Sequence, residues 1–249
     1  MKFTLKFTKN AHLPPFIGNT LRGALGQALY KNSPYVYRNM LKVDRGESIP
    51  NPFVISAPYP SNGYYITGET LSFCVTLFGS ACAFEQDIIN IAEMICEGKI
   101  ENTQLIESLR VYSRLWSDNG AEHIPSCNML ALDFLTPTEI YVKGHLDKQF
   151  DFTTFIDRLF GRISGVLDNY GENDFVLPYN LVANKPFIKG EYDLHIAKFR
   201  TGEQPIAGVY GCVKYYGDVT RYLPYIDLGS QIHIGRKTTR SCGEYRFVI

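Results

Sequence analysis

Residues Met1–Leu29 read MKFTLKFTKNAHLPPFIGNTLRGALGQAL. Among the first eight, Phe3, Leu5 and Phe7 alternate with Lys2, Thr4 and Lys6, the period-two pattern of a strand with one buried face. After Pro14 and Pro15 the period changes, and Ile17, Leu21, Ala24, Leu25, Ala28 and Leu29 recur at helical spacing. A strand feeding a helix opens many kinds of unit, and the elements downstream decide which one.

Strands are expected near Phe53 to Ala57 and from Thr70 to Phe78, separated by turns that hold Pro and Gly. Phe84, Ile88, Ile91, Ala92 and Ile95 mark a second helix ended by Gly98, and a strand from Gln104 to Trp116 closes the unit. That order is βαββαβ. The second half repeats it: a strand from Met129 to Leu135, then a helix marked by Phe152, Phe155, Ile156, Leu159, Ile163 and Leu167. Strands around Phe187 to Phe199 and Ala207 to Tyr216 follow, then a weaker helix between Asp218 and Ile234 and a last strand from Tyr245 to Ile249. The fold class is therefore α+β: tandem ferredoxin-like (RRM-like) βαββαβ domains with antiparallel sheets. The domains are 1–122 and 123–249, joined near Asn119 to Pro125. Topology alone assigns no function.

With 249 residues and 45% hydrophobic content, the chain can build packed cores. Its net charge of +0 means that any nucleic-acid surface comes from local segregation of charge. From Lys198 onward eight Lys or Arg stand against four acids, so the cations gather toward the C-terminus. The six cysteines, at 74, 82, 96, 127, 212 and 242, include no CxxC pair and no His at zinc-ligand spacing, and several sit in apolar patterns as buried thiols. No metal or cofactor is expected. The alternating N-terminus is not a signal peptide, and no apolar run is long enough to span a bilayer, so a cytoplasmic location is expected.

The C-terminal stretch Leu228–Ile249, LGSQIHIGRKTTRSCGEYRFVI, sets Arg236, Lys237, Thr238, Thr239 and Arg240 between Gly235 and Gly243, just before the last strand. Glycines let a backbone turn tightly and approach a ligand closely, and interleaved cations and hydroxyls are the donors that phosphate oxygens accept. A phosphate loop and an ordinary basic turn both fit these residues. A nucleotide P-loop does not, because that motif needs GxxxxGK[ST] spacing and a following helix. Two other surfaces carry cations. Arg110, Tyr112, Arg114 and Trp116 share one face of the strand from Gln104, a stacking pattern for single-stranded RNA or simply surface ion pairs over packed rings. Arg158 and Arg162, at i,i+4 on the third helix, read as a solvated face. In the first helix, Gly23 and Gly26 sit mid-helix after Arg22, and each costs about 1 kcal/mol relative to Ala, which points to close approach of a neighbouring backbone, as in helix packing, or of a phosphate beside Arg22.

The run Pro15–Gly26, PFIGNTLRGALG, resembles the LRGALG helix of the RAMP superfamily of CRISPR-associated proteins. The segment from His233 through Gly243-Glu244-Tyr245 resembles that superfamily's glycine-rich loop. Between them Phe53-Val54-Ile55 with Pro58, Gly68 before a strand, Phe134 with Pro137, and Gly208 before Tyr215 follow in the same order. Together they resemble the repeat-RNA processing endoribonucleases, the sixth Cas family, over nearly the whole chain.

That resemblance implies tandem ferredoxin-like domains and cleavage of precursor CRISPR RNA within repeats. The implied reaction is metal-independent, with a 2′-hydroxyl attacking the adjacent phosphate. Such chemistry needs a base, an acid and cations for the developing charge. The implied RNA-binding residues are Arg22, Gly235, Arg236, Lys237, Thr238, Thr239, Arg240 and Gly243. Many members carry a catalytic histidine in or just after the first helix, whereas this chain has none from Leu13 to Glu122. The catalytic candidates are therefore His12, which also reads as a surface turn residue, His233, which also reads as a helix terminator, and Tyr37. Tyr35 and Lys42 stand behind them. Implied partners are CRISPR repeat RNA, other CRISPR-associated proteins and a second copy of the chain as a homodimer, with no membrane. Two other functions fit the sequence: a non-catalytic RAMP RNA-binding subunit of a CRISPR effector complex, and a small-molecule-binding tandem ferredoxin-like protein.

Overall fold

The computed structural model describes residues 1–41, 49–96, 100, 102–110, 126–171, 178, 181, 186, 188–200 and 205–249. The chain divides into two compact units. The first comprises residues 1–112 with the short segments 169–171 and 239–241, and the second comprises 113–168, 172–238 and 242–249. The expected junction at 119–125 lies outside the described residues.

In the first unit, β1 (Lys2–Phe7) buries Phe3, Leu5 and Phe7 and exposes Lys6, as the alternation requires. Each such aromatic or Leu side chain contributes about 1.5–3 kcal/mol on burial. A two-residue strand β2 (Ala11–His12) leads to α1 (Gly18–Asn32), which buries Leu21, Ala24, Leu25, Ala28 and Leu29 on one face. Ser33 ends α1, and Pro34 at the first position starts α2 (Pro34–Met40), a place where a missing N–H costs nothing. The remaining strands are β3 (Phe53–Ser56), β4 (Tyr64–Tyr65), which pairs with β2, and β5 (Thr70–Leu77).

The second expected helix is broken. A 3₁₀ turn (Gly79–Phe84) runs into α3 (Glu85–Asn90), and α4 (Ala92–Ile95) follows after Ile91, whose ψ of −2° interrupts the helical backbone. Both pieces bury the same apolar row, Ile88, Ile91, Ala92 and Ile95, so the spacing alone could not reveal the break. The edge strand β6 (Thr103–Leu109) closes the sheet in the order β3-β5-β1-β6, antiparallel throughout. Of the cationic and aromatic row expected beyond it, Tyr112, Arg114 and Trp116 lie outside the described residues. Arg110 reaches Gln86 at 2.7 Å and Glu85 at 3.8 Å on the surface.

The second unit repeats the topology with β7 (Met129–Thr138), a small hairpin of β8 (Tyr141–Val142) and β9 (His145–Leu146), and α5 (Phe152–Tyr170). Then come β10 (Lys189–Phe199) and β11 (Ile206–Tyr216), paired over their full lengths. The weak helix is a 3₁₀ turn (Thr220–Tyr222) followed by α6 (Leu223–Ile232), and β12 (Tyr245–Val248) is last. The sheet order, β10-β11-β7-β12, places each unit's strands second, third, first and fourth, the ferredoxin-like arrangement. Phe134, Phe150, Phe155 and Tyr245 form an aromatic cluster in this core. The buried Tyr245 hydroxyl is satisfied by donating to the Ile226 carbonyl of α6 at 2.6 Å. All six cysteines are free thiols; Cys127 and Cys242 are buried while Cys82 is exposed. No helix among the described residues is long and apolar enough to cross a membrane.

Candidate functional site

In the second unit the glycine-rich loop is held from below by β7 and the residue after it. Gly235 has φ of +79°, and a Cβ there would lie 2.6 Å from the Glu139 carbonyl oxygen. The amide of Arg236 donates to that same oxygen at 3.0 Å. The Glu139 side chain is 1% exposed and accepts from Lys237 Nζ at 2.8 Å and from the Ala207 amide at 3.0 Å. Lys237 Nζ also donates to the Pro205 carbonyl at 2.6 Å. One of the loop's expected phosphate cations, itself only partly buried, is thus paired with a buried carboxylate of the protein. Arg236 is exposed, with its guanidinium carbon 5.2 Å from the centre of the Tyr141 ring.

Farther along, Gly243 has φ of +77°, and a side chain there would fall on the Ile234 carbonyl oxygen. That oxygen's neighbour, the Ile234 amide, donates to the Gly243 carbonyl at 2.9 Å. Arg162 of α5 donates to the Ile232 carbonyl at the end of α6 and to Thr238 Oγ1 at 3.2 Å. It therefore ties the loop to its helix, and is not the solvated side chain expected from its i,i+4 pattern.

Within the first unit, α1 meets the short segment 239–241. Gly18 is needed because a Cβ there would fall on the Arg240 carbonyl oxygen. Ser241, at φ of +64°, accepts the Ala57 amide on its Oγ at 3.0 Å. Arg22 Nε donates to Thr239 Oγ1 at 3.2 Å. Burial pushes the Arg22 pKa down and the nearby Arg240 charge adds to that, while Tyr37 opposes it. Arg22, Gly23, Gly26, Gln27 and Tyr30 of α1 line a pocket of about 280 Å³ with Tyr37 and Leu41. Gly26 leaves room for Leu41 Cδ1, which a Cβ would approach to 3.3 Å. Tyr30 and Tyr37 meet edge to face with ring centres 5.3 Å apart. The pocket combines a partly desolvated guanidinium, two phenol rings and an amide, a set suited to an anion carried on an aromatic base.

The three catalytic candidates stand in different surroundings. Tyr37 is in the pocket beside Arg22. His12 is exposed on β2, its ring 4.6 Å from that of Tyr64, its cross-strand partner. His233 is 1% exposed, with φ of +57°, and donates from Nδ1 to the Cys242 carbonyl at 3.2 Å. Burial holds its pKa down to about 3, so it is a neutral ring in the second unit's core, out of reach of a substrate. Tyr35 is 70% exposed against Phe84, and Lys42 lies outside the described residues. Sequence reasoning missed Glu139, a lone acid after a strand with no pattern around it. Among the described residues no group of three His, Cys, Asp or Glu side chains is placed to hold a metal ion.

Residues 1–113 match a family model described as an N-terminal domain, and residues 132–245, which contain Gly235 to Gly243, match the model of the CRISPR-associated endoribonuclease Cas6. No curated protein matches the sequence. Among solved structures, the chain is similar to a product complex of a Thermus thermophilus Cas6, at 13% identity over 99% of each chain with a TM-score of 0.65. It is also similar to an RAMP protein binding different RNA substrates, at 13% identity over 100% of this chain and 98% of that one, with a TM-score of 0.53. A third similar structure is a partial Cas6-RT-Cas1–Cas2 complex, at 14% identity with a TM-score of 0.67, where the chain spans 45% of its counterpart. At these identities the likeness is one of fold. The chain thus matches the Cas6 endoribonuclease model over residues 132–245 and shares over its whole length the tandem fold of solved Cas6 and RAMP structures.

Proposed function

We propose that this chain binds CRISPR repeat RNA and cleaves it by attack of a 2′-hydroxyl on the adjacent phosphate, without a metal. The observation that carries the proposal is the placement of Arg22, hydrogen-bonded to Thr239 and set beside Tyr37 in the α1 pocket. In the reaction O2′ bonds to phosphorus, the bond from phosphorus to O5′ breaks, and a proton passes from the 2′-hydroxyl to the leaving oxygen. Arg22 and Arg240 supply the charge that the phosphorane gathers. The Tyr37 hydroxyl donates to a phosphate or leaving oxygen. In the second unit, Arg236 offers a further phosphate contact. The likeness to proteins solved with RNA products and substrates supports this reading.

The purified chain, given its cognate repeat RNA, should cut once per repeat in excess EDTA. A single 2′-deoxy nucleotide at the cut site should abolish cleavage and leave binding intact, because the nucleophile is gone. Cleavage lost in EDTA and restored by a divalent ion would overturn the metal-free route. A second reading, a subunit that holds RNA without cutting it, is favoured by one observation: none of the described residues lining the pocket is a histidine. Tight repeat binding with no cleavage would select it.

A further inference from the structure

We infer that Glu139 is a positioning residue that makes Arg236, and not Lys237, the RNA-contacting cation of the second unit's loop. The inference rests on the repeat-RNA reading above. Glu139 acts on the loop twice. Its carbonyl oxygen accepts the Arg236 amide at 3.0 Å and crowds Gly235, so that only a glycine fits. Its carboxylate, 1% exposed, takes the Lys237 ammonium at 2.8 Å and the Ala207 amide at 3.0 Å. Lys237 must adopt φ of +58° to make that contact, a conformation disfavoured for a side chain with a Cβ. A buried carboxylate with a lysine and a backbone amide on one oxygen is a compensated charge. An ammonium bound this way has little left to offer a phosphate.

The consequence falls on the neighbour. With the Arg236 backbone and the Lys237 side chain both held by Glu139, the Arg236 side chain is directed outward over the Tyr141 ring, 5.2 Å from its centre. A guanidinium lying on a ring keeps its in-plane N–H groups free for a phosphate, and loses less freedom on binding than a mobile lysine does. The Tyr141 backbone carbonyl is itself held by Arg158 at 2.7 Å, so the ledge under Arg236 is braced from α5 as well.

The test is repeat-RNA affinity of the full chain at several salt concentrations. Substitution R236A should reduce the slope of log K against log salt by about 0.7, one phosphate on a single strand, whereas K237Q, which removes the charge but keeps a donor for Glu139, should leave the slope unchanged. E139Q should weaken binding by about tenfold by releasing Arg236, and E139Q/R236A should bind no worse than R236A alone, because coupled residues do not add. E139Q losses should multiply with those of R22A. If melting shows E139Q unfolded, E139Q/K237M, which removes both charges together, takes its place in the cycle. A flatter slope for K237Q, or losses from Glu139 and Arg236 that multiply, overturns the positioning role while leaving RNA binding in place. A wild-type chain that binds no repeat RNA would reject the repeat-RNA reading, and the role of Glu139 with it.

Discussion

Arg22 Nε and Thr239 Oγ1 lie 3.2 Å apart although 217 positions separate them in the chain. Through this bond the first helix and the segment after the first loop glycine fix one guanidinium. Arg22 needs fixing: it is partly desolvated and faces the like charge of Arg240. A cation held against repulsion in a partly buried site is poised for an anionic partner.

The bond can be tested without disturbing shape. Thr239→Val keeps the size and removes the acceptor, so Arg22 should lose its orientation and single-turnover cleavage should slow by about tenfold. Arg22→Ala removes the charge itself and should slow cleavage on the order of 10²-fold, as loss of a phosphate-stabilising group does. A Thr239→Val chain cleaving at the wild-type rate would show that Thr239 does not orient Arg22.

Two glycines with nearly the same backbone should respond very differently to alanine. Gly144 has φ of +82° with nothing within 4 Å of its added Cβ, whereas Gly243, at φ of +77°, has the Ile234 carbonyl oxygen in that space. Gly144→Ala should cost only the conformational penalty of about 1–2 kcal/mol. Gly243→Ala must also displace backbone, and should lose at least about 3 kcal/mol or fail to fold. Urea denaturation of both variants measures the difference, and equal losses would mean that the loop yields to the added methyl.

His233 should make stability depend on pH with a definite sign. Its pKa falls from 6.5 to about 3 on burial. Between those values the unfolded chain binds a proton that the folded chain refuses, so stability is full above pH 6.5 and declines as pH falls toward 3. At pH 5 this one group should have removed about 2 kcal/mol. Unfolding free energies measured at pH 7 and pH 5 should therefore drop less in His233→Asn than in the wild type. Equal drops would mean that the ring is reached by solvent.

Most of the fold was legible because its strands and helices alternate between two clear periods. Phe3, Leu5 and Phe7 specify β1, and the row from Ile17 to Leu29 specifies α1, whatever lies elsewhere. The site was legible only in part. Arg22 and the glycines stood in recognisable runs, but Lys237 read as a free cation because Glu139, which binds it, lies 98 positions away. Arg162 read as solvent-facing because its acceptors, Ile232 and Thr238, are remote in sequence. His233 looked well placed beside the loop, since nothing local records that its ring turns into the core. Pairings at long range set the state of each charge, and a linear pattern holds no trace of them.

The remaining candidates for proton transfer separate by location. Tyr37 lies in the pocket with Arg22, while His12 is on an exposed two-residue strand against Tyr64. Tyr37→Phe keeps the ring, and with it the edge-to-face contact with Tyr30, so melting temperature and repeat affinity should hold near wild type. The single-turnover rate should fall by about 10- to 100-fold if the hydroxyl donates in the transition state. His12→Ala should cleave within about threefold of wild type. The reverse pattern, slow His12→Ala with normal Tyr37→Phe, would move the acid or base to His12 and require the RNA to run past β2. If both variants cleave normally, the rate enhancement rests on Arg22, Arg240 and substrate positioning alone, and Arg22→Ala should then account for most of it.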